Sequence, residues 1–376
     1  MALKIVPVTD KKSLKQFVKF RIDLYKDSPY AIPPLYMDEM GTLDPAKNPA
    51  FEFCEAQCFL AYRDDKPVGR ICAMINHKAN EIWKTQSGRF GFIDFIDDKE
   101  VSAALLKTAE EWVKSKGLKA IHGPLGFTDM DQEGTLIEGY DQLGTMATIY
   151  NYPYYPQHIE QLGYRKDVDW VEYKIYIPDA IPEKHKRISE IVMKKYNLRI
   201  VKYTSSKKLI KDGYGQKLFE LVNTSYAHLY GFTPLTQKQI DYYIGMYLSM
   251  LKLEFLTLIV DEKGDLAGMG VAMPSLSKAL QKAQGSLFPF GFIHLIKALK
   301  MKNPVVDLLL IAVRPEYMGK GVNALMFYDL IPHFQKAGIE YAESNPELVE
   351  NEKVQSQWEY FKNVNHKRRR AFIKEL

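Results

Sequence analysis

Cysteine is scarce in this 376-residue chain: only Cys54, Cys58 and Cys72 occur. So small and odd a number excludes a disulfide framework. Cys54 and Cys58 stand four apart with His77 downstream, yet no further ligand follows at a finger-like interval, so buried or idle thiols are expected rather than a metal cluster. The opening segment MALKIVPVTDKK lacks the apolar core of a signal peptide. Long apolar runs are missing too. The most apolar stretch, residues 287–299 (LFPFGFIHLIKAL), is too short to span a bilayer and carries His294 and Lys297. A cytoplasmic location follows as the expectation. There is no low-complexity tract, and 46% hydrophobic with 26% charged residues is ordinary for a globular chain. Nor is there much excess of one charge, since 51 Lys and Arg face 46 Asp and Glu, a net charge of +5. That balance conceals a split: residues 1–180 sum to −5 and the remainder to +10.

What the chain does have is an internal repeat. Residues 58–75 (CFLAYRDDKPVGRICAMI) read as strand, Asp-rich turn, strand; residues 255–273 (FLTLIVDEKGDLAGMGVAM) read alike, with Gly69 and Gly268 at matching places. In the first half a strand over 88–97, an apolar-faced helix carrying Val101, Leu105, Ala109 and Trp112, a Gly117 stop and a returning strand follow. The second half repeats this with a strand over 305–313, a glycine turn, a helix over 322–336, Gly338 and the strand IEYAES. Short strands over 4–8 and 199–204 open the two halves, each leading to a helix, over 13–25 and 209–230. About twenty extra residues sit in the second half, which fits the segment 276–302. A proline pair at 178–182 (PDAIP) marks the boundary. The fold class is therefore α/β, with two similar domains over 1–180 and 181–376.

The most informative stretch is LLLIAVRPEYMGKGVNALMFY, residues 308–328. An apolar strand runs into Pro315, then a Gly-x-Gly turn (Gly319, Gly321), then a helix. Glycines let backbone approach a ligand closely, and the helix start offers free N–H groups and a positive dipole end. That combination suits a pyrophosphate, although the spacing matches neither a Walker loop nor the full dinucleotide fingerprint.

The segment VRPEYMGKGVNALM resembles the acetyl-CoA motif of GNAT-superfamily acyltransferases, with Val313, Pro315, Tyr317, Gly319, Gly321, Val322 and Leu325 matching and Met318 and Asn323 departing. The order of elements in each half is similar to that fold, and IEQLGYRK (159–166) resembles the end of such a domain. The resemblance implies tandem GNAT-like domains, each a mixed, mostly antiparallel sheet flanked by helices. It implies acetyl-CoA or another acyl-CoA as cosubstrate, no metal, and an N-acyltransferase acting on a small amine, with acetyl as the first expectation. It places Met318, Gly319, Lys320, Gly321, Val322 and Asn323 at the pyrophosphate, Ile311, Ala312 and Val313 on the pantetheine arm, and Asn345 and Asn351 near the cofactor. The matching first-half turn, FIDFIDDKEVSAALL, has no glycine and sets Asp97 and Asp98 where phosphates would rest, so a degenerate first domain is expected.

Acyl transfer needs a base for the amine and an acid for the leaving thiolate. Glu343 at a strand end is the candidate base. The family's acidic tyrosine position falls on Trp358, so Tyr360, two residues on, is the candidate acid, although two residues turn a helix by about 200°. The long segment 123–157 carries Asp129, Asp131, Glu133, Glu138 and Asp141 together with Tyr150, Tyr152, Tyr154 and Tyr155. Acids with aromatics would suit a cationic amine; a Ca²⁺ loop would need a different spacing. HKRRRAF (366–372) reads as a solvated final strand rather than a nucleic-acid patch. Residues 287–299 read as an interfacial helix, a lid over a bulky acyl chain, or interdomain packing. Two other functions fit the same features: a non-catalytic CoA-binding scaffold, consistent with Met318, Asn323 and Trp358, and an aminoacyl-tRNA-dependent ligase, consistent with the basic half.

Overall fold

A computed structural model of the chain describes residues 2–248, 250–301 and 303–376. Among the described residues, fourteen strands form one sheet. They are β1 (Leu3–Pro7), β2 (Cys54–Arg63), β3 (Lys66–Asn76), β4 (Ser87–Phe95), β5 (Ala120–Gly123), β6 (Thr135–Glu138), β7 (Arg165–Tyr176), β8 (Arg199–Val201), β9 (Leu256–Val260), β10 (Leu266–Pro274), β11 (Val305–Val313), β12 (Tyr341–Glu343), β13 (Glu347–Leu348) and β14 (Asn363–Glu375). Their order is β1-β2-β3-β4-β5-β14-β7-β12-β11-β10-β9-β8, with β6 beside β14 and β13 beside β7.

This order is near-symmetric about β14 and β7. Each half runs antiparallel except for one parallel pair, β4 with β5 and β11 with β12. The halves exchange their closing strands. β14, the end of the second half, pairs with β5 of the first, and β7 of the first half pairs with β12 of the second. β7 and β14 then pair with each other along the seam.

Local sequence explains most elements. Asp10 and Ser13 form a capping box that starts the helix Lys11–Leu24. The apolar face of the helix Lys99–Ser115 (Val101, Leu105, Leu106, Ala109, Val113) is fully buried in the first-half core, and removing one such Leu would cost about 2–5 kcal/mol. Gly338, at φ +73, supplies the left-handed stop after the helix Asn323–Ala337. The expected single helix over 209–230 is instead two, Ser206–Lys211 and Tyr214–Ser225, because Gly213 at φ +83 breaks the chain between them. The three cysteines are free and buried, and burial pushes the Cys54 thiol up to about 12.

HKRRRAF is not a solvated strand. It lies at the centre of the sheet, with Lys367 and Arg369 buried to 2% and 1% exposure. Lys367 donates to Glu343 (3.1 Å) and Glu172 (3.4 Å), Arg369 donates to Glu172, and Arg368 and Arg370 both pair with Asp169. The basic run is thus neutralised by acids of β7 and β12, which burial alone would make costly to leave unpaired. The described part of the extra segment, 276–301, forms the helices Ser277–Ala283 and Gly291–Lys300.

Candidate active site

The parallel pair β11–β12 keeps register only over Val305–Asp307 with Tyr341–Glu343. Beyond Asp307 the two strands part. The β11 carbonyls that face the opening accept from side chains: Leu309 from Asn345 Nδ2 (2.6 Å), Ile311 from the Tyr226 hydroxyl (2.8 Å) and Val313 from Ser225 Oγ (2.9 Å). The strand edge on this side is therefore held in an extended shape with its polar groups turned toward the gap.

At the end of β11 the chain turns through Pro315–Tyr317 into Gly319 (φ +72) and Gly321 (φ +82). The helix Asn323–Ala337 starts without any side-chain cap. Among the described residues, the N–H groups of Gly319, Gly321, Val322 and Asn323 make no hydrogen bond within the chain. Four free amides at a helix start form a cradle for an anion. A Cβ at Gly321 would stand 2.8 Å from Ile188 Cγ2, so the close packing of this turn on the helix Glu183–Tyr196 also requires glycine. Lys320 lies outside the cradle, near the rings of Tyr196 and Tyr317.

The first-half counterpart is closed. Asp98 caps the helix Lys99–Ser115 by accepting from the N–H groups of Glu100 and Val101, and Arg63 pairs with Asp98 at 3.0 Å. The wedge between β4 and β5, which also keeps register for only three pairs, is filled by the chain itself. Leu125 N–H donates to the Phe90 carbonyl (2.9 Å), and Arg89 Nη1 donates to the carbonyls of Gly126 (3.1 Å) and Phe127 (3.2 Å). The approach is so close that a Cβ at Gly91 would lie 2.1 Å from the Leu125 carbonyl oxygen.

One cavity of about 1280 Å³ joins contributions from both halves. From the second half come Leu308–Val313, Met318, Gly319, Val322, Asn323, Asn345, Glu347, Asn351 and Trp358; from the first come Asp129, Asp131, Glu133, Tyr155 and Trp170. A largely apolar section is walled by Ile32, Met273, Leu276, Leu280, Leu287 and Leu295. The three acids face the cavity space while lying deep in the molecule. Burial raises the Asp129 carboxyl to about 6, and burial with the neighbouring Asp129 raises Glu133 to about 8. Asp129 accepts from Thr233 N–H (3.0 Å) and Asp131 from Thr128 N–H (3.0 Å), which fixes both. A carboxyl that titrates near neutrality in a cavity is suited to proton transfer.

Most of the cofactor residues expected from the sequence come together. Ile311, Ala312, Val313, Met318, Gly319, Val322, Asn323 and Asn351 line the one cavity, and Gly321 shapes the turn behind them. Asn323, unlike a small residue, ties the turn to the segment beyond through Nδ2 to Gln357 (3.0 Å). The two expected catalytic residues do not join them. Glu343 is engaged by Lys367, with His366 Nε2 at 2.9 Å, and stands within the seam of the sheet. Tyr360 is 44% exposed and accepts from Lys184 on the outside. Tyr150 and Tyr152 pack against Tyr25, edge-on and tilted, and Tyr154 tilts against Phe95; their hydroxyls donate to the carbonyls of Tyr140, Leu24 and Phe95, so only Tyr155 of that group reaches the cavity. No group of three or more metal-ligating side chains converges among the described residues.

Glu347 was not singled out by sequence reasoning. It lines the cavity and accepts from Trp358 Nε1 (2.9 Å), beside the position where the GNAT pattern expects a tyrosine. Burial pushes its carboxyl up to about 8. The substitution of Trp358 for that tyrosine was the available signal, since a buried indole N–H calls for an acceptor nearby.

No family model matches the chain. Among curated proteins it is similar to Protein YghO of Escherichia coli (strain K12), 31% identical over 373 residues, which covers 98% of this chain and 94% of the relative. It is also similar to a bacterial ceramide synthase of Caulobacter vibrioides (strain NA1000 / CB15N), 29% identical over 305 residues, covering 80% of this chain and 77% of the relative. Among solved structures, a tandem GNAT protein from the clavulanic acid biosynthesis pathway superimposes with a TM-score of 0.57 over 100% of this chain and 98% of that one, at 13% identity. The sheet with its two splayed strand pairs, the glycine turn and these likenesses lead to one assignment: the protein has the tandem GNAT fold and belongs to the family of Protein YghO.

Proposed function

We propose that the protein is an acyl-CoA-dependent N-acyltransferase that joins a long acyl chain to an amphipathic amine. The observation that carries this reading is the single cavity of about 1280 Å³, which has the glycine-turn cradle in one wall and the Asp129, Asp131 and Glu133 carboxyls in another. Pyrophosphate of the cosubstrate would lie on the amides of Gly319, Gly321, Val322 and Asn323, and the pantetheine arm beside the Ile311–Val313 stretch of β11 that lines the cavity. The apolar walls around Leu276, Leu280, Leu287 and Leu295 exceed what an acetyl group needs and suit a long chain. The relative named as a ceramide synthase supports the same substrate class, because a ceramide is a fatty acyl amide of a long-chain amino alcohol.

The chemistry assigned to the chain is direct transfer. An ammonium group is attracted to the acids of 129–133, and Glu133 as carboxylate takes a proton from it. The amine nitrogen then bonds to the thioester carbon, the C–S bond breaks, and the second proton of the nitrogen passes through solvent to the Glu347 carboxylate left by the next step, so that only the Glu133 proton is released overall. Glu347, a carboxylic acid below about pH 8, gives the departing thiolate its proton.

The test is a turnover panel with acyl-CoA of two, eight and sixteen carbons against a long-chain amino alcohol, an amino acid and a polyamine. Thiol release and amide mass are the readouts. Amide from the sixteen-carbon donor and the amino alcohol is expected. Turnover with acetyl-CoA alone overturns the chain-length assignment, CoA binding without any turnover leaves a CoA-binding scaffold, and RNA binding without CoA binding points to a tRNA-dependent ligase.

A further inference from the structure

The helix Gly291–Lys300 contains no buried residue. Its inner side, with Leu295, Ala298 and Leu299, packs against Met273, Leu276 and Leu280 and so forms part of the cavity wall. Its outer side is apolar as well. Phe292, Ile293 and Ile296 are 38%, 37% and 45% exposed, and the segment leading into the helix presents Phe288 and Phe290 at 76% and 69%. Met301, just past the helix, is 64% exposed. At 3.6 residues per turn Phe292, Ile293 and Ile296 share one side, and Lys300 and Lys297 fall on or beside it. A helix apolar on both sides is a poor water-facing element, and a contiguous apolar patch of this kind marks an interaction site.

Charge identifies what covers it. Between Asp265 and Asp307 the chain has no acidic residue, and it has five lysines, at 278, 282, 297, 300 and 302. Lys278 and Lys282 belong to the neighbouring helix Ser277–Ala283, and both they and Lys297 and Lys300 are on the exposed face of the two-helix insert. Aromatic and aliphatic side chains flanked by lysines, in an insert that carries no carboxylate of its own, fit a surface whose interior is hydrocarbon and whose rim is anionic. No helix of the described residues is long and apolar enough to cross a membrane; an element lying in the plane of the interface needs no such length.

We infer that the insert 276–301 seats the protein on an anionic phospholipid surface, with Phe288, Phe290, Phe292 and Ile296 in the acyl region and the lysines at the headgroups. One helix then separates the bilayer from the apolar end of the cavity, so lipid chains enter and leave without crossing water. This goes beyond the acyltransferase reading and does not depend on it, because vesicle binding is measured without turnover.

The experiment is flotation of the full chain with vesicles of phosphatidylcholine alone and with added phosphatidylglycerol. Binding is expected to the anionic vesicles and to fall with salt. The double variant Phe288→Ser/Phe290→Ser should weaken it about tenfold or more through lost apolar insertion, and Lys297→Glu/Lys300→Glu should remove its preference for phosphatidylglycerol. Unchanged thermal melting of each variant shows that the fold is intact. Failure of the wild-type chain to float with anionic vesicles overturns the proposal. So does equal flotation of all variants. A dimer in light scattering that the Phe variant converts to monomer, with no vesicle binding, assigns the patch to a second copy and overturns it as well.

Discussion

The two strand-to-helix turns of this molecule are built on one plan and have opposite contents. Both follow a parallel strand pair that keeps register for three residues and then splays. In the first half the wedge is plugged by Leu125–Phe127, and the helix start is capped by Asp98. In the second half the wedge opens into the cavity, and the helix start has free amides behind two left-handed glycines. An internal side chain and an external anion satisfy the same N–H groups, and a capping carboxylate excludes the anion. The plugged half does not lose its part in the site: its plug leads directly into Asp129, Asp131 and Glu133, which face the open half across the cavity.

That division of labour can be broken in a set order of effect. Glu133→Gln should lower kcat by about 100- to 10,000-fold while CoA affinity in calorimetry stays as in the wild type; an equal loss in both would put Glu133 in cofactor binding. Gly319→Glu places a carboxylate in the cradle, and CoA affinity should fall on the order of 100-fold, since like charges brought together cost several kcal/mol. Unchanged calorimetry would move the anion site elsewhere. A pH titration of stability comes next. Asp129, Glu133 and Glu347 all titrate higher in the folded chain than in the unfolded one. The folded state therefore binds more protons, and stability is fully present below the unfolded values near 4 and is lost as pH rises through about 6 to 8. The melting temperature should fall by several degrees over that range, and Glu133→Gln should flatten the fall; a rise with pH would contradict the burial of these groups. The smallest effect is that of Asp98→Ala, which should cost about 1 kcal/mol in chemical denaturation by removing a cap. It should confer no CoA binding on the first half, because the wedge beside it stays filled.

The sequence displays the repeat, the apolar strands and the glycine turn openly, because each depends on residues close in the chain. Val305–Val313 and the helix after Gly321 fall where periodicity puts them. Strand partnership is different. Nothing local tells Arg368 and Arg370 that their neighbour is Asp169, two hundred residues earlier, rather than water. The same distance in sequence hides the fate of Glu343, whose partner Lys367 arrives on a strand borrowed by the other half. Tyr360 misses the cavity because the 3₁₀ turn Ser356–Tyr360 sends Trp358 inward and leaves Tyr360 on Lys184. The acids of 129–133 are visible in the sequence as a cluster, but their raised pKa values come from burial, which only the assembled halves produce.

The exchange of β7 and β14 sets a schedule for biosynthesis. On a ribosome the first half is complete in sequence long before Asn363–Glu375 exists, yet its β5 must wait for that strand, and Lys119 for the amide of Leu376 (2.8 Å). Until then β5 presents an unpaired edge, and the acids Asp169 and Glu172 of β7 lack their arginines. Such long-range closure is slow. The nascent chain thus carries this unpaired edge until β14 is made, and separate expression of residues 1–180 should yield aggregate rather than a half-size domain.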